Sequence, residues 1–102
     1  MPYYARALRK AAAFVTNFGA ENGANGTVST VDVRTRTKNP DDILVGSNPN
    51  GVAVTPDEKA AFVANGLNDT VSSIDVKTRT KNPTDIPVGT APLGVTVTPC
   101  RR

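Results

Sequence analysis

The carboxylates that could do chemistry in this chain are few and dispersed. Asp57 and Glu58 sit side by side in a Pro56-Asp57-Glu58-Lys59 turn, Asp69 follows further on, and Asp32 and Asp75 each precede a Thr-rich turn. A hydrolase-like or lactonase-like site built on Asp57, Glu58 and Asp69 around a divalent ion would need oxygen ligands at close, regular intervals. These three show no such metal-ligand spacing. Asp32 and Asp75 recur at the same point of a repeated stretch, so their expected role is structural: a short carboxylate accepting turn N–H groups. The 102 residues include no histidine and one cysteine, Cys100. The commonest general base and metal ligand is thereby removed, and neither an internal disulfide nor a multi-thiolate site can form. Ser-His, Cys-His and His-ligated zinc chemistry are excluded for a single chain. No catalytic residue, metal ligand or cofactor is assigned, and the chain is expected not to be an enzyme.

The cations are better organised. Arg34, Arg36 and Lys38 form one basic stripe and Lys77, Arg79 and Lys81 form another, in a chain of net charge +3 and pI about 9.4. Both stripes are candidate contacts for nucleic acid or another polyanion, in a complex that would weaken steeply as salt rises. No aromatic side chain is interleaved with them, so the stacking expected for single strands is missing. Their first expected role is plainer: charges on a sheet edge that block edge-to-edge aggregation. Gly19, Gly23 and Gly26 lack dinucleotide-loop spacing and precede no helix, which leaves phosphate binding there without support.

The elements carrying these residues come from a repeat. Thr27 to Pro56, TVSTVDVRTRTKNPDDILVGSNPNGVAVTP, returns 43 residues later as Thr70 to Pro99, TVSSIDVKTRTKNPTDIPVGTAPLGVTVTP, with 21 of 30 positions identical. A period in the low forties, made of short β-rich runs between Gly, Pro, Asn and Asp, predicts β-propeller blades of four antiparallel strands each. Each copy reads in the same order. A buried run ending in Asn (Ala12 to Asn17, Ala60 to Asn65) is followed by a strand, Thr27 to Val33 or Thr70 to Val76. That strand carries Val31 and Val33 (Ile74 and Val76) on one face and Val28 (Val71) on the other, the pattern of a strand covered on both sides. Asn22-Gly23 and Asn25-Gly26 mark a longer hairpin loop in the first copy. Next comes a run holding Pro40, or Pro83 and Pro87, which must be a sheet edge because proline cannot donate to ladders on both sides. The outer rim would then carry the basic stripes. A strand of small residues alternating with Val, Asn48 to Pro56 and Ala91 to Pro99, suits the crowded innermost position beside a central channel.

Taken outward from the inner strand, residues 50–89 make one complete all-β blade. Residues 12–49 supply the outer three strands of another, 90–102 an orphan inner strand and tail, and 1–11 a weakly ordered or short helical leader. The orphan strand of one molecule is complementary to the incomplete blade of a second. Three chains would close six blades and four would close eight, so a homo-oligomer, trimer or tetramer, is one outcome of blade completion.

AFVTN and AFVAN, followed by TVSxxDV, IPVG and PxGVxVTP, resemble the YVTN-type β-propeller repeat over Ala12 to Pro99. Phe14 and Phe62 replace the tyrosine of the motif, and Thr30 and Ser73 stand where valine is frequent. The resemblance implies a non-catalytic propeller that presents loops to a protein or surface polymer as an interaction scaffold. Such propellers are often bacterial or archaeal, often exported or surface-associated, and share no common catalytic centre; one related member is associated with DNA binding. Related lactonases use acidic and His-containing sites that have no match here. The usual seven blades are not divisible by two, so the arithmetic favours a truncated piece of a larger propeller over a designed oligomer. No apolar run approaches the ~20 residues of a membrane span. Arg6, Arg9 and Lys10 interrupt the apolar core that a signal peptide would need, so no export signal is read.

Overall fold

The computed structural model describes residues 11–19 and 24–99. The expected leader over Met1 to Lys10, the Asn22-Gly23 turn and the Cys100 to Arg102 tail lie outside the described residues. All regular structure within them is β, in nine strands: β1 (Ala12–Asn17), β2 (Asn25–Asp32), β3 (Thr37–Lys38), β4 (Ile43–Ser47), β5 (Pro49–Val54), β6 (Ala60–Asn65), β7 (Thr70–Asp75), β8 (Thr80–Lys81) and β9 (Ile86–Pro87). Val, Thr and Phe at alternating positions favour this pleated, half-buried state.

Two antiparallel sheets result. In the first blade β1 pairs with β2, and both β3 and β4 pair with the other side of β2. In the second, β5 pairs with β6, β6 with β7, and both β8 and β9 with β7. The outer edge of each blade is therefore one strand broken in two. The break falls where Asn39 and Asn82 turn the chain, their side-chain oxygens accepting the N–H groups of Asp41 and Thr84 at 2.9 Å. Pro40 and Pro83 sit in that bend, and of the three prolines expected at the edge Pro87 alone lies in a strand, opposite Thr70.

The sheets pack face to face, and the core is the seam between them. Val28, Ile43 and Val45 from the first blade meet Ala61, Val63 and Ile74 from the second, with Phe14, Val52 and Val76 at the margin. A buried valine or isoleucine contributes about 1.5–3 kcal/mol, so these few side chains account for most of what holds the blades together. The pleat determines which residues take part. Ala61, Val63 and Asn65 alternate with Phe62 and Ala64 along β6, and only the first set points at the first blade. The expectation of central strands covered on both faces holds on one face only. Ile74 of β7 is buried while Val71 on its reverse is half-exposed, and Val28 of β2 is buried while Val31 is half-exposed.

The expected orphan inner strand departs further. Residues 92–99 carry no strand and pair with no strand among the described residues. They run past β5 at close quarters, where a Cβ on Gly51 would meet the Gly94 Cα and the Leu93 carbonyl at 2.9 Å. This is the inner-strand crowding that small residues permit.

Candidate functional site

Most of the residues singled out by type are built into turns at one end of the blades, while Lys38 and Lys81 lie in short strands and Asp69 lies at the other end. The β2–β3 turn starts at Asp32, whose Oδ1 accepts the N–H groups of Arg34 and Thr35 at 2.9 and 3.2 Å, while the Arg36 N–H donates to the Asp32 carbonyl at 2.7 Å. In the second blade Asp75 accepts from the Thr78 N–H at 3.1 Å. Both turns close through an arginine in the left-handed region, Arg36 at φ 60° and Arg79 at φ 56°. That conformation costs a non-glycine residue about 1–2 kcal/mol, and the Asp oxygens and the closing turn bond offset it. The aspartates are thus the bracket that projects the basic side chains, and Arg34, Arg36, Lys77 and Arg79 all stand exposed.

Two of the three lysines in the stripes, Lys38 and Lys81, are used otherwise. Lys38 pairs with Asp42 at 2.9 Å and Lys81 with Asp85 at 2.7 Å, four residues apart across the break in each outer strand. Each carboxylate also accepts a serine hydroxyl of the adjacent strand, Ser29 to Asp42 at 3.0 Å and Ser72 to Asp85 at 3.1 Å. The Lys38 ammonium and, after it, the Ser29 hydroxyl hold the Asp42 carboxyl below its ordinary value. The six-residue basic set is therefore four projecting cations and two strand locks.

Of the candidate carboxylates, Asp57 is held by the Thr55 hydroxyl at 2.6 Å and the Lys59 N–H at 3.0 Å, and the first of these lowers its pKa. Glu58 occupies the left-handed position of the same turn, at φ 64°. Both border an open cleft between the blades whose wall includes Phe14, Lys59, Asp75 and Lys77. A smaller hollow beside it brings Arg79 of the second blade near Asp32 and Thr37 of the first. Asp69 is elsewhere. It follows β6 whereas Asp57 precedes it, and six residues of strand span about 20 Å. There its Oδ1 accepts the Ala91 N–H at 2.9 Å. The three carboxylates do not converge, and among the described residues no group of three His, Cys, Asp or Glu is placed to hold a metal ion. Nor is any helix among them long and apolar enough to cross a membrane.

The polar feature that sequence reading missed lies at the opposite end, between the blades. Asn65, fully buried, donates from Nδ2 to Ser72 at 2.9 Å and Thr70 at 3.1 Å, while its Oδ1 accepts the N–H of Gly46 in the first blade at 3.1 Å. Asn68 accepts the Ser47 N–H at 2.7 Å beside it. A side chain at position 46 would collide with both, the Asn65 Cγ lying 2.7 Å from a Cβ there. The recurrence of Asn17 with Ser29, Asn65 with Ser72, and Gly46 with Gly89 is the signal that could have exposed this lock.

No curated protein sequence matches the chain. A solved structure titled Kuenenia stuttgartiensis Hydrazine Synthase is similar, with a TM-score of 0.67 and 33% identity over 72% of this chain and 20% of that one. The present chain thus spans a fifth of the length of that neighbour. A family model described as YNCE-like beta-propeller matches residues 6–90. Two antiparallel blades stacked through an apolar seam, a repeat of blade length and a match over most of the sequence agree, and the chain belongs to the YNCE-like beta-propeller family.

Proposed function

We propose that the chain is a non-catalytic part of a β-propeller that serves as an interaction scaffold, presenting its turn residues to a protein or surface polymer. One observation carries this reading: six of the carboxylates that could act as bases or ligands are committed to the framework. Asp32 and Asp75 bracket turns, Asp42 and Asp85 lock the outer strands, Asp57 closes a hairpin and Asp69 anchors Ala91. Fold membership alone assigns no activity, so the synthase named for the structural neighbour is not carried over. The finer assignment, to the YVTN-type repeat, rests on AFVTN, AFVAN and the PxGVxVTP segments. Purified chain is expected to show no turnover on lactone, ester and phosphoester panels with or without calcium or magnesium. Turnover abolished by Asp57→Asn or Glu58→Gln would refute the scaffold reading.

A second reading has its own support. The exposed Arg34, Arg36, Lys77 and Arg79 recur at equivalent turns of adjacent blades, a spacing suited to successive charges of a polyanion. Retention on heparin at low salt, lost when all four are replaced by Ser, is the expected result; no retention at low salt removes this reading and leaves the first intact.

A further inference from the structure

The ion pair at the outer edge of the second blade and the lock buried between the blades are joined end to end. The Lys81 ammonium donates to Asp85 Oδ1 at 2.7 Å, and the Ser72 hydroxyl donates to the same oxygen at 3.1 Å. Asn65 donates from Nδ2 to the Ser72 hydroxyl oxygen at 2.9 Å and accepts the Gly46 N–H at 3.1 Å. Asp85 lies in the break of the outer strand with its side chain 26% exposed, whereas Ser72 and Asn65 are both 0% exposed. The line of bonds therefore runs from solvent, through the second blade, to the backbone of the first. Its outer part recurs in the first blade, where Lys38 meets Asp42 at 2.9 Å, Ser29 donates to Asp42 at 3.0 Å and Asn17 donates to Ser29 at 2.8 Å. The connection is built by the repeat.

Its direction is fixed at both ends. A backbone N–H can only donate, and an ionised carboxylate can only accept. With Asp85 ionised, Ser72 must turn its one hydrogen outward, which leaves only lone pairs for Asn65. The amide must then present its NH2 to Ser72 and its oxygen to Gly46. Thr70 takes the second Nδ2 hydrogen at 3.1 Å, so the amide has no spare group. Reversed, Asn65 would set its NH2 against the Gly46 N–H, two donors facing each other where no water reaches.

We propose that this line is a relay through which the charge of Asp85 at the outer edge sets the strength of the hydrogen bond between the blades. Asp85 and Ser72 act in it as positioning residues for Asn65. Bonds whose donors all point one way polarise one another, and a low surrounding dielectric magnifies the effect. Neutralising Asp85 removes the pull on the line. It also lets the carboxyl donate to Ser72, after which Ser72 no longer dictates how Asn65 faces. The surroundings leave Asp85 in charge of the relay: Lys81 is its charged partner, and β4 and β9 carry no titratable side chain. Asp75 and Asp69, at the two ends of β7, accept the N–H groups of Thr78 and Ala91 instead. A change at the outer edge is thus felt in the neighbouring blade as a looser seam.

Acid titration of the full chain, followed by nuclear magnetic resonance, tests the relay. The Gly46 amide proton is expected to move upfield with the same midpoint as the Asp85 carboxyl carbon. Asp42→Asn should leave that inflection in place. Asp85→Asn, at a half-exposed position, should abolish it and speed exchange of the Gly46 amide several-fold relative to the ladder amides of β6 at neutral pH. Ser72→Ala should cut the line, so that Asp85 still titrates and Gly46 no longer follows. A Gly46 resonance that stays fixed while Asp85 titrates, one that keeps its inflection in Asp85→Asn or Ser72→Ala, or unchanged Gly46 exchange in Asp85→Asn each overturn the proposal.

Discussion

At the residue scale, one side chain couples the two blades by hydrogen bonds as well as by packing. Asn65 satisfies its own amide within the second blade and meets the Gly46 N–H of the first with its carbonyl, without exposure to solvent. Asn65→Ala would leave a buried N–H and two hydroxyls short of partners, so a loss of about 2–3 kcal/mol is expected in urea unfolding. Asp42 and Asp57 set the acid limb. Both carboxyls titrate below their ordinary value of 3.8 because hydroxyl, ammonium or N–H donors favour the ionised form. Their contribution is thus fully present above that value and is lost as the pH falls below it. The Asp42→Asn, Asp57→Asn double variant should be the less stable protein at neutral pH, and its urea midpoint should fall less than that of the parent on acidification through this range. Asp32 and Asp75 were legible as turn acceptors from their recurrence before Thr-rich runs. Arg36 and Arg79 in the left-handed region were not, because glycine and asparagine are the residues that announce such a backbone.

At the element scale, the outermost strand of each blade is snapped into two short pieces, the third strand of the first blade and the fourth of the second. The prolines indicated the edge, since a strand that cannot donate on both sides must be outermost. The break itself came from Asn39 and Asn82, whose side-chain turns compete with ladder formation. The seam was legible as alternating Val and Ile, yet alternation does not say which of two apolar faces is covered; that needs the neighbour. Ile74→Ala removes a side chain buried in the middle of the seam and should cost about 2–5 kcal/mol in thermal or urea unfolding. A cost under about 0.5 kcal/mol, the range of surface substitutions, would mean that the seam is not packed as described.

At the scale of the whole molecule, the described residues form a stack of two like units that meet through one seam. Sequence period and length were enough to give the blades, because repetition leaves little choice of topology. They did not give the fate of residues 92–99, which read as an inner strand and pair with no strand among the described residues. The basic turns and the cleft beside Phe14 share one end of the stack, and the Asn-Gly lock occupies the other. The central claim is that the blades meet through Ile43 and Val45 on one side and Val63 and Ile74 on the other. Methyl-labelled nuclear Overhauser spectroscopy tests it most directly. Cross-peaks linking the Ile43 and Val45 methyls to those of Val63 and Ile74 are predicted, whereas intact sheets with no cross-peaks between the two sets would contradict it.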